Sequence, residues 1–263
     1  MFAFYLKKLL RCPATWVGAL LFLASIVFSV SDTLDARNPT YLYEYAMDCG
    51  IAGFFVPVVT VLPVCFVQKE LSRGGVWQLP LLRASPRRYA AGGLAAACLS
   101  GAVVTLAAFA GLFLGLVLVS GGNVFFDYAL VPWDLEVWQD RSYLEVTLIE
   151  LANLGLTSMM YPAVAWLVSG CSSNQYLCAA APFLIDTLAR YGFGFLAYEV
   201  DPRFAALDPG HLDDFWGVSP SFSRDPAVYI PLGVLLVVGY VMAVILVCGL
   251  LFRRRLERRL LDG

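Results

Sequence analysis

VYIPLGVLLVVGYVMAVILVCGLLF, residues 228–252, runs for 25 residues without one charge, and RRRLERR, residues 253–259, follows at once. A helix needs about 20 mostly apolar residues to cross the hydrocarbon core of a bilayer. The stretch therefore reads as a membrane-spanning helix, Val228–Phe252, stopped at the headgroups by Arg253, Arg254, Arg255, Arg258 and Arg259. The same pattern recurs upstream at Trp16–Ser31, Gly50–Val67, Tyr89–Val119, Val146–Ser169 and Leu177–Tyr198. Six spans are expected, in an all-α integral membrane protein.

The composition agrees. Of 263 residues, 60% are hydrophobic and 14% charged, against about 45–50% and about 25% in a soluble domain. Such a chain cannot cover itself with a wetted surface, which excludes a soluble enzyme. A net charge of −2 gives no electrostatic footprint for nucleic acid. His211 is the single histidine, so a bis-histidine haem site and a histidine-rich zinc site are both excluded. The seven cysteines show no C-x-x-C spacing and fall mostly in apolar runs, where they read as reduced core thiols.

Charge sets the orientation. Lys7, Lys8 and Arg11 precede the first span, Lys69, Arg73, Arg83, Arg87 and Arg88 lie between the second and third, and five arginines close the chain. These are 13 of the 18 basic residues, and they are accompanied only by Glu70, Glu257 and Asp262. The positive-inside rule places both termini and the second-to-third connection in the cytoplasm, which requires an even number of spans. The external connections are acidic, with Trp133, Trp138 and Tyr143 at headgroup level in one of them.

Within Met1–Cys12, Phe2, Tyr5, Leu6, Leu9 and Leu10 share one face of a helix and Lys7, Lys8 and Arg11 the other, until Pro13 stops it. This predicts an amphipathic helix lying in the cytoplasmic interface; the alternative is an ordinary basic start to the first span. Ser29-Val30-Ser31 resembles a signal-peptide cleavage site, but the segment is expected to stay as a membrane anchor. Residues 1–263 form a single transmembrane domain in this reading, with no internal repeat.

The chain carries no G-x-x-x-x-G-K-[ST] loop, no H-E-x-x-H and no serine–histidine pair on one side of the membrane, so no catalytic residues are expected and no metal site. Ionisable groups inside spans are costly, at least about 2.5–3.5 kcal/mol each. Asp186 and Arg190 in the fifth span are four apart and share a face. They read either as part of a translocation pathway or as a mutually neutralised pair that pins the helix. Glu150 at the outer end of the fourth span is a third pathway candidate, or an interfacial residue. Gly111-x-x-x-Gly115 permits close helix approach.

The connection Gln68–Tyr89, QKELSRGGVWQLPLLRASPRRY, is the most informative segment. A plain hydrophilic loop would not hold Val76, Trp77, Leu79, Leu81 and Leu82. A short helix with one apolar and one basic side either lies on the membrane or docks in a groove of a partner protein.

With an amphipathic amino-terminal helix, Glu70 and a following glycine, and a Ser-Pro-Arg turn before the third span, the chain resembles the membrane subunit of a type-2 exporter-class ATP-binding-cassette transporter. Glu70, Gly74, Gly75, Leu79, Leu81, Leu82, Ser85, Pro86 and Arg87 sit at matching positions. Gly92 and Gly93 depart from the pattern, standing where a basic residue is common. The resemblance implies a permease without its own catalysis. Segment 68–89, through Glu70, Gly74, Trp77, Leu79, Leu81, Leu82 and Arg87, would couple to a separate cytoplasmic ATPase subunit that binds ATP and Mg. Gly170–Gln175 would be a minor second contact. A second permease subunit, identical or related, would complete a pathway for outward movement of a hydrophobic or amphipathic cargo (lipid, drug or peptide), in a bacterial plasma membrane. The rival reading is a non-transporting membrane anchor, scaffold or sensor, which would use the same basic faces to bind anionic lipid.

Overall fold

A computed structural model describes residues 1–30, 50–72, 85–119, 143–172, 174–209 and 226–261. Every described regular element is helical: α1 Phe2–Arg11, α2 Pro13–Val30, α3 Gly50–Val59, α4 Leu62–Ser72, α5 Pro86–Val119, α6 Tyr143–Thr157, α7 Met160–Cys171, α8 Gln175–Glu199, a 3-10 turn Pro202–Leu207, and α9 Pro226–Leu261. The first expectation holds locally. Cys12 precedes a proline and takes extended backbone (φ −67°, ψ 125°), as the proline ring demands of its neighbour. Pro13 then opens α2, at a bend of 57° from α1. The bend leaves few groups unmet: Thr15 Oγ1 donates to Leu9 O, and Trp16 Nε1 donates to Leu10 O at 3.0 Å.

Among the described residues, three helical stretches are long and apolar enough to cross a membrane: Pro86–Gly115, Leu151–Cys171 and Leu232–Arg258. The bent pair Phe2–Arg11 and Pro13–Phe28 makes a fourth if it counts as one span. Among the described residues the count thus reaches three or four of the six spans expected from the sequence. Gly50–Val67 is divided between α3 and α4, and Leu177–Tyr198 is diluted by Asp186 and Arg190 within α8.

Prolines cause the divisions. Pro63 has no N–H for Val59 O, and Pro162 has none for Ser158 O, and each ring crowds that carbonyl. Both helices break there, between α3 and α4 and between α6 and α7. The freed carbonyls are used in the same way. A Cβ on Gly18 of α2 would stand 2.9 Å from Val59 O, and one on Gly101 of α5 would stand 2.8 Å from Ser158 O and 2.5 Å from Pro162 Cγ. A glycine on the neighbouring helix therefore admits each displaced carbonyl. By contrast, Gly115 has nothing within 4 Å of its would-be Cβ, and Gly111 meets only the end of Leu23. The expected Gly111-x-x-x-Gly115 contact is not the close approach within this chain.

A test follows from the backbone contact. Gly101→Ala should lower stability by about 1–3 kcal/mol, since rigid backbone and a ring cannot move aside. In Gly101→Ala/Pro162→Ala the ring is gone and an N–H returns to Ser158 O, so thermal unfolding of the purified protein should show part of that loss regained.

α5 is the central helix, with α1, α2, α6, α7 and α9 against it. α7 packs on α4, α5, α8 and α9. The apolar core gathers around Trp166, Tyr5, Phe22 and Phe109, all fully buried.

Candidate functional site

The end of the bundle that carries α1 is built around aromatic rings. Tyr5 meets Tyr89 edge-on at 5.7 Å and Trp166 edge-on at 5.5 Å. Phe252 stacks on Tyr89 at 6.4 Å and tilts against Trp166 at 5.7 Å. Four rings thus tie α1, the start of α5, the middle of α7 and the last third of α9. Gly93 makes room for Trp166, whose Cζ2 lies 2.1 Å from a would-be Cβ, and Gly92 makes room for Met1 and Phe2. Gly170 does the same for Phe252. The two glycines that break the family resemblance therefore have a packing reason in this chain: they seat α1 and its aromatic neighbour. Burial, and next the adjoining Tyr89 hydroxyl, raise the Tyr5 hydroxyl far above its ordinary titration range.

This construction brings the basic segments to one end. Lys7, Lys8 and Arg11 lie on α1, Lys69 near the end of α4, Arg87 and Arg88 at the start of α5, and Arg253, Arg254, Arg255 and Arg258 beyond Phe252 on α9. The Ser85-Pro86-Arg87 turn is a helix start: Pro86 takes the first helical position and Ser85 Oγ accepts from Arg88 N at 3.4 Å. Arg87 is exposed on it.

Glu70 stands in the last turn of α4, where Lys8 Nζ reaches its Oε2 at 3.1 Å. Its side chain is 66% exposed, so the bridge is a surface one. The short connection between α7 and α8 is tied to the same helix. Gln175 Nε2 donates to Cys65 O at 3.2 Å, while Asn174 caps α8 by accepting from Tyr176 N at 3.0 Å. α4 therefore joins α1, through Glu70, to the turn before α8. Gly74, Gly75, Trp77, Leu79, Leu81 and Leu82 lie outside the described residues.

The second polar centre lies deeper. Asp186 is buried in α8, about 16 Å along the axis from its start at 1.5 Å per residue. Its Oδ2 accepts from Arg190 Nε at 2.7 Å and its Oδ1 from the Tyr161 hydroxyl of α7 at 3.0 Å. The i,i+4 pair was legible from spacing. Tyr161 was not singled out, because its role depends on how α7 meets α8; a buried carboxylate in search of donors is the signal that would have raised it. Glu150 lies on the backbone of α6, and its side chain is outside what the structure describes. The two centres are separate: Glu70 and Arg87 belong to the α1 end, Asp186 and Arg190 to the interior of the α7–α8 interface.

No family model matches this chain, and no curated protein matches it.

Proposed function

We propose that this chain is the permease subunit of an ATP-binding-cassette exporter, a six-span protein with both termini in the cytoplasm of a bacterial cell. The observation that carries the reading is the gathering of α1, Glu70, Arg87, the turn before α8 and the arginines of α9 at one end. By the positive-inside rule that end faces the cytoplasm. Segment 68–89 leaves and re-enters the bundle there, through Glu70 on α4 and Arg87 on α5, and it carries the apolar anchors Trp77, Leu79, Leu81 and Leu82 with Gly74 between them and Glu70.

In the mechanism that follows, segment 68–89 docks in a cleft of a separate ATPase subunit, which holds the ATP and Mg. Closure of the ATPase pushes on α4 and α5. α4 passes the movement to α1 through Lys8–Glu70 and to α8 through Gln175–Cys65. A second permease subunit, this chain or a relative, completes the route for a hydrophobic or amphipathic cargo. The chain itself has no catalytic step to perform.

Affinity purification from native membranes in mild detergent, with ATP hydrolysis assayed in the eluate, tests the reading. A P-loop ATPase should co-purify and should be lost from Trp77→Ala. An eluate with no nucleotide-hydrolysing partner overturns the exporter and favours the anchor or scaffold reading.

A further inference from the structure

A cleft of about 470 Å³ opens between α1 and α4 at the basic end, within the range of small-ligand sites. Its lining is cationic at Lys7, Lys8 and Arg11 and apolar at Phe4, Pro13 and Val67. Glu70 is the one acidic residue in the lining, and Lys8 already holds it. Lys7 and Arg11 are exposed and make no ion pair among the described residues.

The ordinary use of cations in the last turn of a helix is to offset its terminal carbonyls. Here those carbonyls have other donors: Cys12 N and Thr15 Oγ1 serve Leu9 O, and Trp16 Nε1 serves Leu10 O. The cations of α1 are left to face the cleft. The apolar lining continues beyond the cleft from Pro13. Pro13, Val17, Leu20 and Leu21 follow helical spacing down one face of α2, and the last three are exposed. Half-exposed Trp16 beside the cleft marks headgroup depth.

A cluster of cations, apolar residues beside them in the lining and an apolar stripe descending along α2 together match an amphipath with a phosphate head. We propose that the α1–α4 cleft binds the headgroup of an anionic phospholipid, its phosphate on Lys7 and Arg11 and its acyl chain along Val17–Leu21 of α2. A phosphate free in solution offers the same head chemistry but leaves the stripe unused. The proposal needs only that the chain be membrane-embedded, so it stands or falls apart from the permease reading.

The test is native mass spectrometry of the full-length protein, released from detergent after washing with phosphatidylglycerol or with phosphatidylcholine of the same acyl chains. Phosphatidylglycerol should be retained and phosphatidylcholine not. In Lys7→Gln/Arg11→Gln retention should fall about twenty- to thirty-fold, the value of two basic charges near an anionic headgroup. Lys7→Arg/Arg11→Lys should keep it. Both side chains are exposed and make no ion pair among the described residues, so an unchanged melting temperature will show that the glutamine variant folds. Equal retention of the two lipids, indifference to the glutamine variant, or displacement of phosphatidylglycerol by inorganic phosphate would each overturn the proposal.

Discussion

In the proposed exporter, Glu70→Lys should abolish ATP-driven transport while leaving the protein inserted and its melting temperature nearly unchanged. The second half of that expectation comes from magnitude. The Lys8–Glu70 bridge joins a carboxylate 66% exposed to a partly exposed ammonium, and exposed pairs are worth only about 0–1 kcal/mol. Reversing the charge places a lysine beside Lys8 at the edge of water, a repulsion of the same small order. A complete loss of transport cannot then be ascribed to unfolding. It reports on what Glu70 does outside the chain, at the root of segment 68–89. The swapped variant Lys8→Glu/Glu70→Lys separates the two roles. It restores the intramolecular bridge but presents the wrong charge to an ATPase, so transport should remain absent. Recovery of transport in the swap would reduce Glu70 to a brace for α1. Full transport in both Glu70→Lys and Trp77→Ala would remove the coupling assignment altogether.

Arg190→Leu should destabilise the protein by about 3–5 kcal/mol, because it leaves Asp186 buried without its cation. Tyr161 would remain as a donor, and Arg190 is itself 31% exposed, which favours the lower end of that range. Asp186→Leu/Arg190→Leu removes both charges and should bring stability back close to wild type, since apolar replacement of a buried pair is often neutral or better. Detergent-denaturation midpoints of the single and double variants give the comparison. Transport by the stable double variant then decides the question left open by the sequence: if it persists, the pair pins α7 to α8, and if it is lost, the pair belongs to the route of the cargo.

What could be read in advance was what depends on neighbours in sequence. α1 and its stop at Pro13 were legible because amphipathic period and proline act within a few residues. The pairing of Asp186 with Arg190 was legible for the same reason. Hydropathy marked the apolar stretches, but it did not mark the breaks at Thr60–Val61 and Ser158–Met159. A proline early in a helix is usually harmless, and these two matter because Gly18 and Gly101 lie opposite the carbonyls they release. Gly111 and Gly115 were preferred on a spacing rule that says nothing about which face meets another helix. Gly92 and Gly93, read as a departure from a pattern, turn out to seat Met1 and Trp166.

The ring of aromatic contacts also constrains the order in which the protein can be finished. Tyr5 precedes its partners Tyr89 and Trp166 in the chain, and Phe252, which closes on both of those, is made after all three. Until then α1 has no completed seat, and its apolar face must wait at the membrane surface or with a chaperone. A chain interrupted before α9 leaves Trp166 and Tyr89 without Phe252. Quality control would therefore meet a clear difference between a nascent and a completed molecule at one small spot, the end that carries α1, whatever the state of the helices beyond it.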